Sequence, residues 1–389
     1  MKCVVFTHKK CWRIHGSDAG YATDGGFPKQ MHALAGLFDE LIVACPITGT
    51  DVGAAGTRLD VGNVRTVPLP PINGSGFRRR LYLPFWILRA MPHMLRLTLG
   101  ADVVHCPIPG DIGTIGLLLA WILRKHLFVR HCGNWDREMT IAERFWKWFM
   151  CRYGGGKNVM LATGLRDDRA IAGGKIRWIF SSSLWEHELR QVARGRNCPL
   201  GKALRIGIAC RQVRAKGTSI VIEAAKKLLA QWPELVVEVI GDGPDLGFFR
   251  QLSEDLGISD HVRFCGLVPH EEVLKRLAEL DIFCLPSSSE GFPKAVLEAM
   301  ACGVPCVTSR VSALAKLADY GGAVALDEIS PVQVALAIRD CVQPGTYEKM
   351  SVRAIECAMH FTLDKWREEI ARILGEQWED FGFGAQRVA

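Results

Sequence analysis

Ile282-Phe-Cys-Leu-Pro-Ser-Ser-Ser-Glu-Gly-Phe-Pro-Lys-Ala-Val-Leu-Glu-Ala-Met-Ala-Cys-Gly-Val-Pro-Cys-Val-Thr308 decides the fold. The apolar run 282–285 suits a strand buried on both faces. A small polar loop follows over 287–291. Pro293 suits the first turn of a helix, where its missing N–H is no loss. Gly303 can end that helix, and Pro305 blocks its continuation. The stretch therefore reads strand, loop, helix, turn, strand, and it delivers a helix N-terminus at a strand's carboxyl end. Such an end favours anions through its N–H groups and dipole.

Glu290 and Glu298 bracket that helix start. Neither should touch a phosphate, because like charges repel. An ionised carboxylate accepts hydrogen bonds only, which suits sugar hydroxyls. Phosphate donors flanked by hydroxyl acceptors fit a nucleotide sugar. Spacing alone favours an ordinary βα unit with two solvated glutamates. The run Glu290-Gly-Phe-Pro-Lys-Ala-Val-Leu-Glu298-Ala-Met-Ala-Cys-Gly-Val-Pro305, however, resembles the E-x7-E signature of the family-4 retaining glycosyltransferases. That resemblance implies an α/β chain of GT-B type, with two Rossmann-like domains whose parallel sheets face a central cleft.

Other segments extend the likeness. Cys210-Arg-Gln-Val-Arg-Ala-Lys-Gly217 lies between an expected strand at 204–209 and an expected helix at 218–231. It is similar to the family's Gly-Arg…Lys-Gly segment, with Cys210 in the usual glycine's place. The resemblance makes Arg211 and Lys216 diphosphate ligands; Arg214 is a further cation without a role. Gly241-Asp-Gly243-Pro244 resembles the turn beside the nucleotide. The turn Gly266-Leu-Val268-Pro269 matches the place where relatives hold the base. Gly291, Phe292, Pro293 and Lys294 complete the expected donor site, with Glu298 on the ribose and Glu290 on the sugar. After Thr308 the family's glycine-rich turn is replaced by Ser-Arg-Val-Ser.

In the first half, an expected strand at 2–7 is followed by a long polar stretch that ends at Gly25-Gly26. This pair precedes a helical pattern at 27–38 and allows close backbone approach to a ligand. It is also compatible with a simple turn. The expected strand 127–130 ends at His131, the position where the family commonly has a histidine near the donor sugar, and Asp136 is an acidic neighbour. No Gly-x-Gly-x-x-Gly is present, which argues against a dinucleotide site.

The 389 residues suffice for two domains, and 49% hydrophobic with 23% charged residues is a globular composition. The 14 cysteines form no Cys-x-x-Cys pair and lie mostly in apolar runs. This predicts buried thiols, a reduced compartment and no zinc. The start leads directly into a strand, without the apolar segment of a signal peptide. The longest uncharged apolar run, 112–123, is too short to span a bilayer. The expectation is a cytoplasmic protein, peripheral to the inner face of a membrane if it attaches to one.

Net charge is +7 but unevenly spread: residues 1–200 hold 27 Lys+Arg against 15 Asp+Glu, and residues 201–389 hold 21 against 26. The basic half should face something anionic. No nucleic-acid motif is present, so an anionic membrane or acceptor is preferred. Arginines mix with large apolar residues over 77–96 and again over 144–153. Both stretches fit a membrane interface, and both equally fit core-facing helices with solvated arginines.

Together these readings predict four parts: residues 1–182 as an acceptor-binding domain, 183–202 as a linker, 203–362 as the nucleotide-sugar domain, and 363–389 as a helix crossing back. The expected activity is metal-independent, retaining transfer of a sugar from a nucleotide-diphosphate donor, UDP or GDP foremost. No cofactor is expected. The acceptor would be a glycan, a lipid-linked glycan or another hydroxyl. A GT-B sugar-nucleotide epimerase and a non-catalytic nucleotide-sugar-binding protein are the alternatives.

Overall fold

The computed structural model describes residues 1–14, 20–50, 56–72, 76–135, 140–165, 170–171, 173–194 and 203–383. Asp136 and the last eight residues of the expected linker, 195–202, lie outside them. The chain divides into two compact units, one formed by Met1–Phe180 with Leu363–Ala389 and the other by Ser181–Thr362.

The first unit is built on one sheet of β1 (Lys2–Phe6), β2 (Cys11–Ile14), β3 (Gly20–Thr23), β4 (Glu40–Thr50), β5 (Thr57–Arg58), β6 (Val64–Leu69), β7 (Val103–Ile108), β8 (His126–His131), β9 (Asn158–Thr163), β10 (Ala170–Ile171) and β11 (Ile176–Ile179). Its parallel centre runs β6-β4-β1-β7-β8-β9-β11. The region before Gly25, expected as a polar stretch, instead contributes β2 and β3, which pair antiparallel; β3 pairs antiparallel with β5 in turn. The two strands are only four residues each, and Lys9, Lys10 and Arg13 break up the apolar residues around β2, so the pattern is too short to stand out.

Helices that accompany this sheet include α1 (Phe27–Ala35), α2 (Gly76–Leu99), α3 (Asp111–Ile122) and α4 (Ile141–Tyr153). α2, α3 and α4 cover one face, where Trp86, Met94, Leu117, Trp146 and Phe149 pack on Val4, Val104, Leu127 and Val129. Glu143 closes a capping box with Thr140 at the start of α4.

The second unit begins with α5 (Glu186–Arg194), inside the segment expected to be a linker. That expectation is corrected for its described part. α5 packs against α9 (Lys294–Ala301) and α12 (Thr346–Met359) of the same unit, and Leu184 and Leu189 are buried. The arginine-rich composition hid a narrow apolar edge that is enough to dock a short helix.

The second sheet comprises β12 (Arg205–Ala209), β13 (Val236–Ile240), β14 (Val262–Gly266), β15 (Ile282–Leu285), β16 (Cys306–Ser309) and β17 (Ala323–Leu326). All its pairs are parallel, in the order β14-β13-β12-β15-β16-β17. Its connecting helices include α6 (Thr218–Leu228), α7 (Leu246–Asp255), α8 (His270–Ala278), α10 (Ala313–Asp319) and α11 (Pro331–Cys341). This is the doubly wound Rossmann order, which reverses direction between β12 and β15. The final helix, α13 (Leu363–Gln377), rejoins the first unit on the sheet face opposite α3. There Arg130, on the other pleat from Val129, lies 5.2 Å from the Trp366 ring and donates to Gln30 of α1 at 2.9 Å.

Candidate functional site

In a doubly wound sheet, ligands gather at the carboxyl ends of the strands that flank the reversal. In the second unit those strands are β12 and β15, and they lead into the two loops singled out by sequence, 210–217 and 286–293. Ala215 laces the loops together: its carbonyl accepts from the Ser288 amide at 2.8 Å and the Ser287 hydroxyl at 3.1 Å. Gly217 makes the close approach feasible. Its φ is +81°, and an added Cβ would sit 2.4 Å from the Pro286 carbonyl oxygen. Behind the basic loop, Gln212 is fully buried. Its amide donates to the Cys210 and Ile240 carbonyls, both at 3.1 Å, and its oxygen accepts from Thr218 at 2.8 Å.

Lys216 Nζ stands 2.7 Å from Glu290 Oε1. The carboxylate is buried, and the ammonium is about a quarter exposed (23%). Sequence reasoning placed the two around one ligand; the structure makes them an ion pair. Arg211 is exposed, and its guanidinium makes no hydrogen bond or ion pair among the described residues. Arg214 is a scaffold cation: its amide donates to Asp245 at 2.9 Å and its guanidinium lies 4.0 Å from the Phe248 ring centroid. Burial raises the Cys210 thiol to about 12, so it is inert as a nucleophile.

Glu298 lies in the buried face of α9. Burial opposes its ionisation. Hydrogen bonds from His270 (2.8 Å) and Ser183, with the nearby Lys294 charge, prevail and hold the carboxyl below its ordinary value. Sequence reasoning missed both partners. Ser183 lay in the supposed linker and carried no signal, whereas His270 opens a helix directly after the Val268-Pro269 turn and could have been found. Gly241 (φ +111°) and Gly243 let the following turn close on the basic loop, since added Cβ atoms would fall 2.1 Å from the Cys210 carbonyl oxygen and 2.3 Å from that of Gln212. Val268 is half-buried, as are Gly291, Phe292 and Lys294; Pro293 is buried and sits one residue before α9.

Three expected site residues belong to the first unit. Gly25, at φ +71°, and Gly26 form the turn into α1, with Gly26 at the N-cap. His131 ends β8 and is fully buried, edge-on to Trp135 at 5.3 Å. Burial first, then the Lys147 charge, lower its pKa to about 4, so the ring is neutral at pH 7. His105, on the neighbouring strand β7, is a core residue stacked on Phe128 at 4.1 Å.

Two Rossmann-like parallel-sheet units in one chain define the GT-B class. The structure superposes on Anabaena HepE in complex with UDP-glucose with a TM-score of 0.70, covering 97% of this chain and 100% of that one at 15% identity. It superposes on sucrose-phosphate synthase from Thermosynechococcus elongatus with a TM-score of 0.72, covering 97% and 99% at 15% identity.

Residues 201–356 match the family model of glycosyl transferases group 1. Over 166 residues it is 29% identical to a GDP-mannose-dependent alpha-(1-6)-phosphatidylinositol monomannoside mannosyltransferase of Mycolicibacterium smegmatis, covering 40% of this chain and 42% of the relative. Over 123 residues it is 37% identical to a D-inositol 3-phosphate glycosyltransferase of Corynebacterium jeikeium, covering 30% and 29%. The chain thus spans less than half the length of these curated relatives.

Proposed function

We propose that this protein transfers a sugar, with retention of configuration, from a nucleoside-diphosphate sugar to a hydroxyl acceptor. The Lys216–Glu290 ion pair at the sheet reversal, inside the family-matched segment and beside exposed Arg211, carries the reading. A diphosphate entering there meets Lys216 and Arg211, and the cations stabilise the charge that builds on it as it leaves. Glu290, already ionised against Lys216, is then available to the donor-sugar hydroxyls. Glu298, fixed by His270 and Ser183, is set to accept from the ribose. His131 serves as a neutral hydrogen-bonding group, and the Gly25-Gly26 turn allows close backbone approach. The cations supply the neutralisation that a metal ion gives other transferases, so transfer proceeds without one. UDP or GDP carries the sugar. The acceptor is a glycan or a lipid-linked glycan, in keeping with relatives named for phosphatidylinositol monomannoside and colanic acid biosynthesis.

The test is a panel of UDP-, GDP- and ADP-sugars incubated with and without membrane extract. Nucleotide release that depends on extract, with labelled sugar appearing in glycan or lipid, is expected. Isomerised donor without acceptor would replace the reading by an epimerase. Binding without turnover across the panel would replace it by a carrier.

A further inference from the structure

Among the described residues, nine of the sixteen exposed large apolar side chains sit on α2, α3 and α4, the layer covering one face of the first sheet. On α2 they follow one helical line: Leu81, Phe85, Leu88, Leu95 and Leu99, with Leu88 75% exposed. The opposite side of the same helix buries Trp86, Ala90 and Met94 in the core. α2 is therefore apolar on two faces, of which the fold covers one. On α4, Ile141, Phe145 and Trp148 repeat the pattern, with Trp148 55% exposed. α3 links the two helices, for Trp121 meets Phe149 edge-on at 5.7 Å.

The charge on this layer is predominantly positive. The three helices contain eight arginines and lysines and two acids, Asp111 and Glu143; α2 contains no acid. Asp111 is paired with Arg79, and Glu143 with the Thr140 amide. Arg89, His93 and Arg96 flank the apolar line of α2 on its exposed side, and Arg144 and Arg152 flank that of α4. A second copy of the chain would bring these cations against their own kind and supply no acid to meet them. An anionic bilayer supplies both partners this face lacks, acyl chains for the leucines and aromatics and headgroup phosphates for the arginines.

We infer that the outer face of α2, α3 and α4 is a docking surface for an anionic lipid bilayer, on which the protein lies without crossing it. No described helix is long and apolar enough to cross a membrane. The inference does not depend on the reaction proposed above.

The test is flotation of the full chain with phosphatidylglycerol–phosphatidylcholine vesicles and with phosphatidylcholine alone. Wild type should float with the anionic vesicles at low salt, be released in large part by high salt, and stay behind with the neutral ones. Leu88→Glu with Trp148→Glu should reduce flotation by about tenfold or more, as should Arg89→Glu with Arg96→Glu. All four side chains are exposed, so thermal unfolding of both variants should match wild type. No flotation at low salt would overturn the inference, as would flotation unchanged in both variants. A concentration-dependent dimer lost in the Leu88 and Trp148 variant, without vesicle binding by wild type, would assign the face to self-association instead.

Discussion

Burying a carboxylate is costly unless a cation meets it, and Glu290 meets Lys216 at 2.7 Å. Replacing Lys216 by Met should cost the second unit about 1–3 kcal/mol, less than for a fully buried pair because the ammonium is partly exposed. Glu290→Gln in that background should add less than it costs alone. A double-mutant cycle in urea measures the coupling, and strict additivity would dissolve the pair. Under the proposed reaction, Lys216→Met should also lower kcat/KM by about 10²–10³-fold.

His131 gives a separate prediction through pH. Its folded pKa is depressed from 6.5 to about 4, so the unfolded chain takes up the proton first as pH falls. The contribution of the buried neutral ring is intact above pH 6.5 and is lost between there and about 4, by on the order of 3 kcal/mol. His131→Phe removes the titration. Its stability should fall less steeply across that window, read from urea midpoints at several pH values. An unchanged slope would assign the acid sensitivity to other groups. Sequence supplied His131 as a candidate, but its burial and neutrality depend on Trp135, Lys147 and the surrounding sheet, which no local pattern announces.

At the scale of elements, the site depends on how two βα loops approach each other. Gly217→Ala sets a Cβ 2.4 Å from the Pro286 carbonyl oxygen in a left-handed backbone, and neither neighbour can give easily. We expect a loss of about 1–3 kcal/mol, with nucleotide binding weakened beyond what the stability loss explains. Calorimetric titration with UDP and GDP reads the binding. A variant of wild-type stability would show the loops to be more pliant than the contact implies. The strands supplying these loops were legible because a parallel strand covered on both faces is a short unbroken apolar run, as in Ile282–Leu285. Short elements were not: β2 and β3, four residues each, read as a polar stretch, and α5 read as a linker. The partners of Glu298 were hidden for another reason. Ser183 and Glu298 are 115 positions apart, and only the folded second unit joins them.

At the scale of the molecule, the chain leaves its first unit at Phe180 and returns to it at Leu363, so one unit is assembled from both ends of the sequence. The helix was legible because Trp366, Ile370, Ile373 and Leu374 lie on one helical face, and all four are buried; its return was expected only from the family resemblance. What that face packs against was not legible: α13 sits on α1, β9 and β11, and Arg130 stacks on Trp366 from inside the sheet. Trp366→Ala should therefore act on the first unit, although the residue follows the second in sequence. A buried tryptophan reduced to alanine costs about 3–5 kcal/mol, and here it also uncovers a buried guanidinium. Two units need not unfold together, so the readout must separate them. Hydrogen exchange does so: protection should fall across β8, β9 and β11 and persist in β12, β13 and β15. Equal loss in both sheets would mean that the units unfold as one, and loss confined to β12–β17 would contradict the assignment of α13 to the first unit.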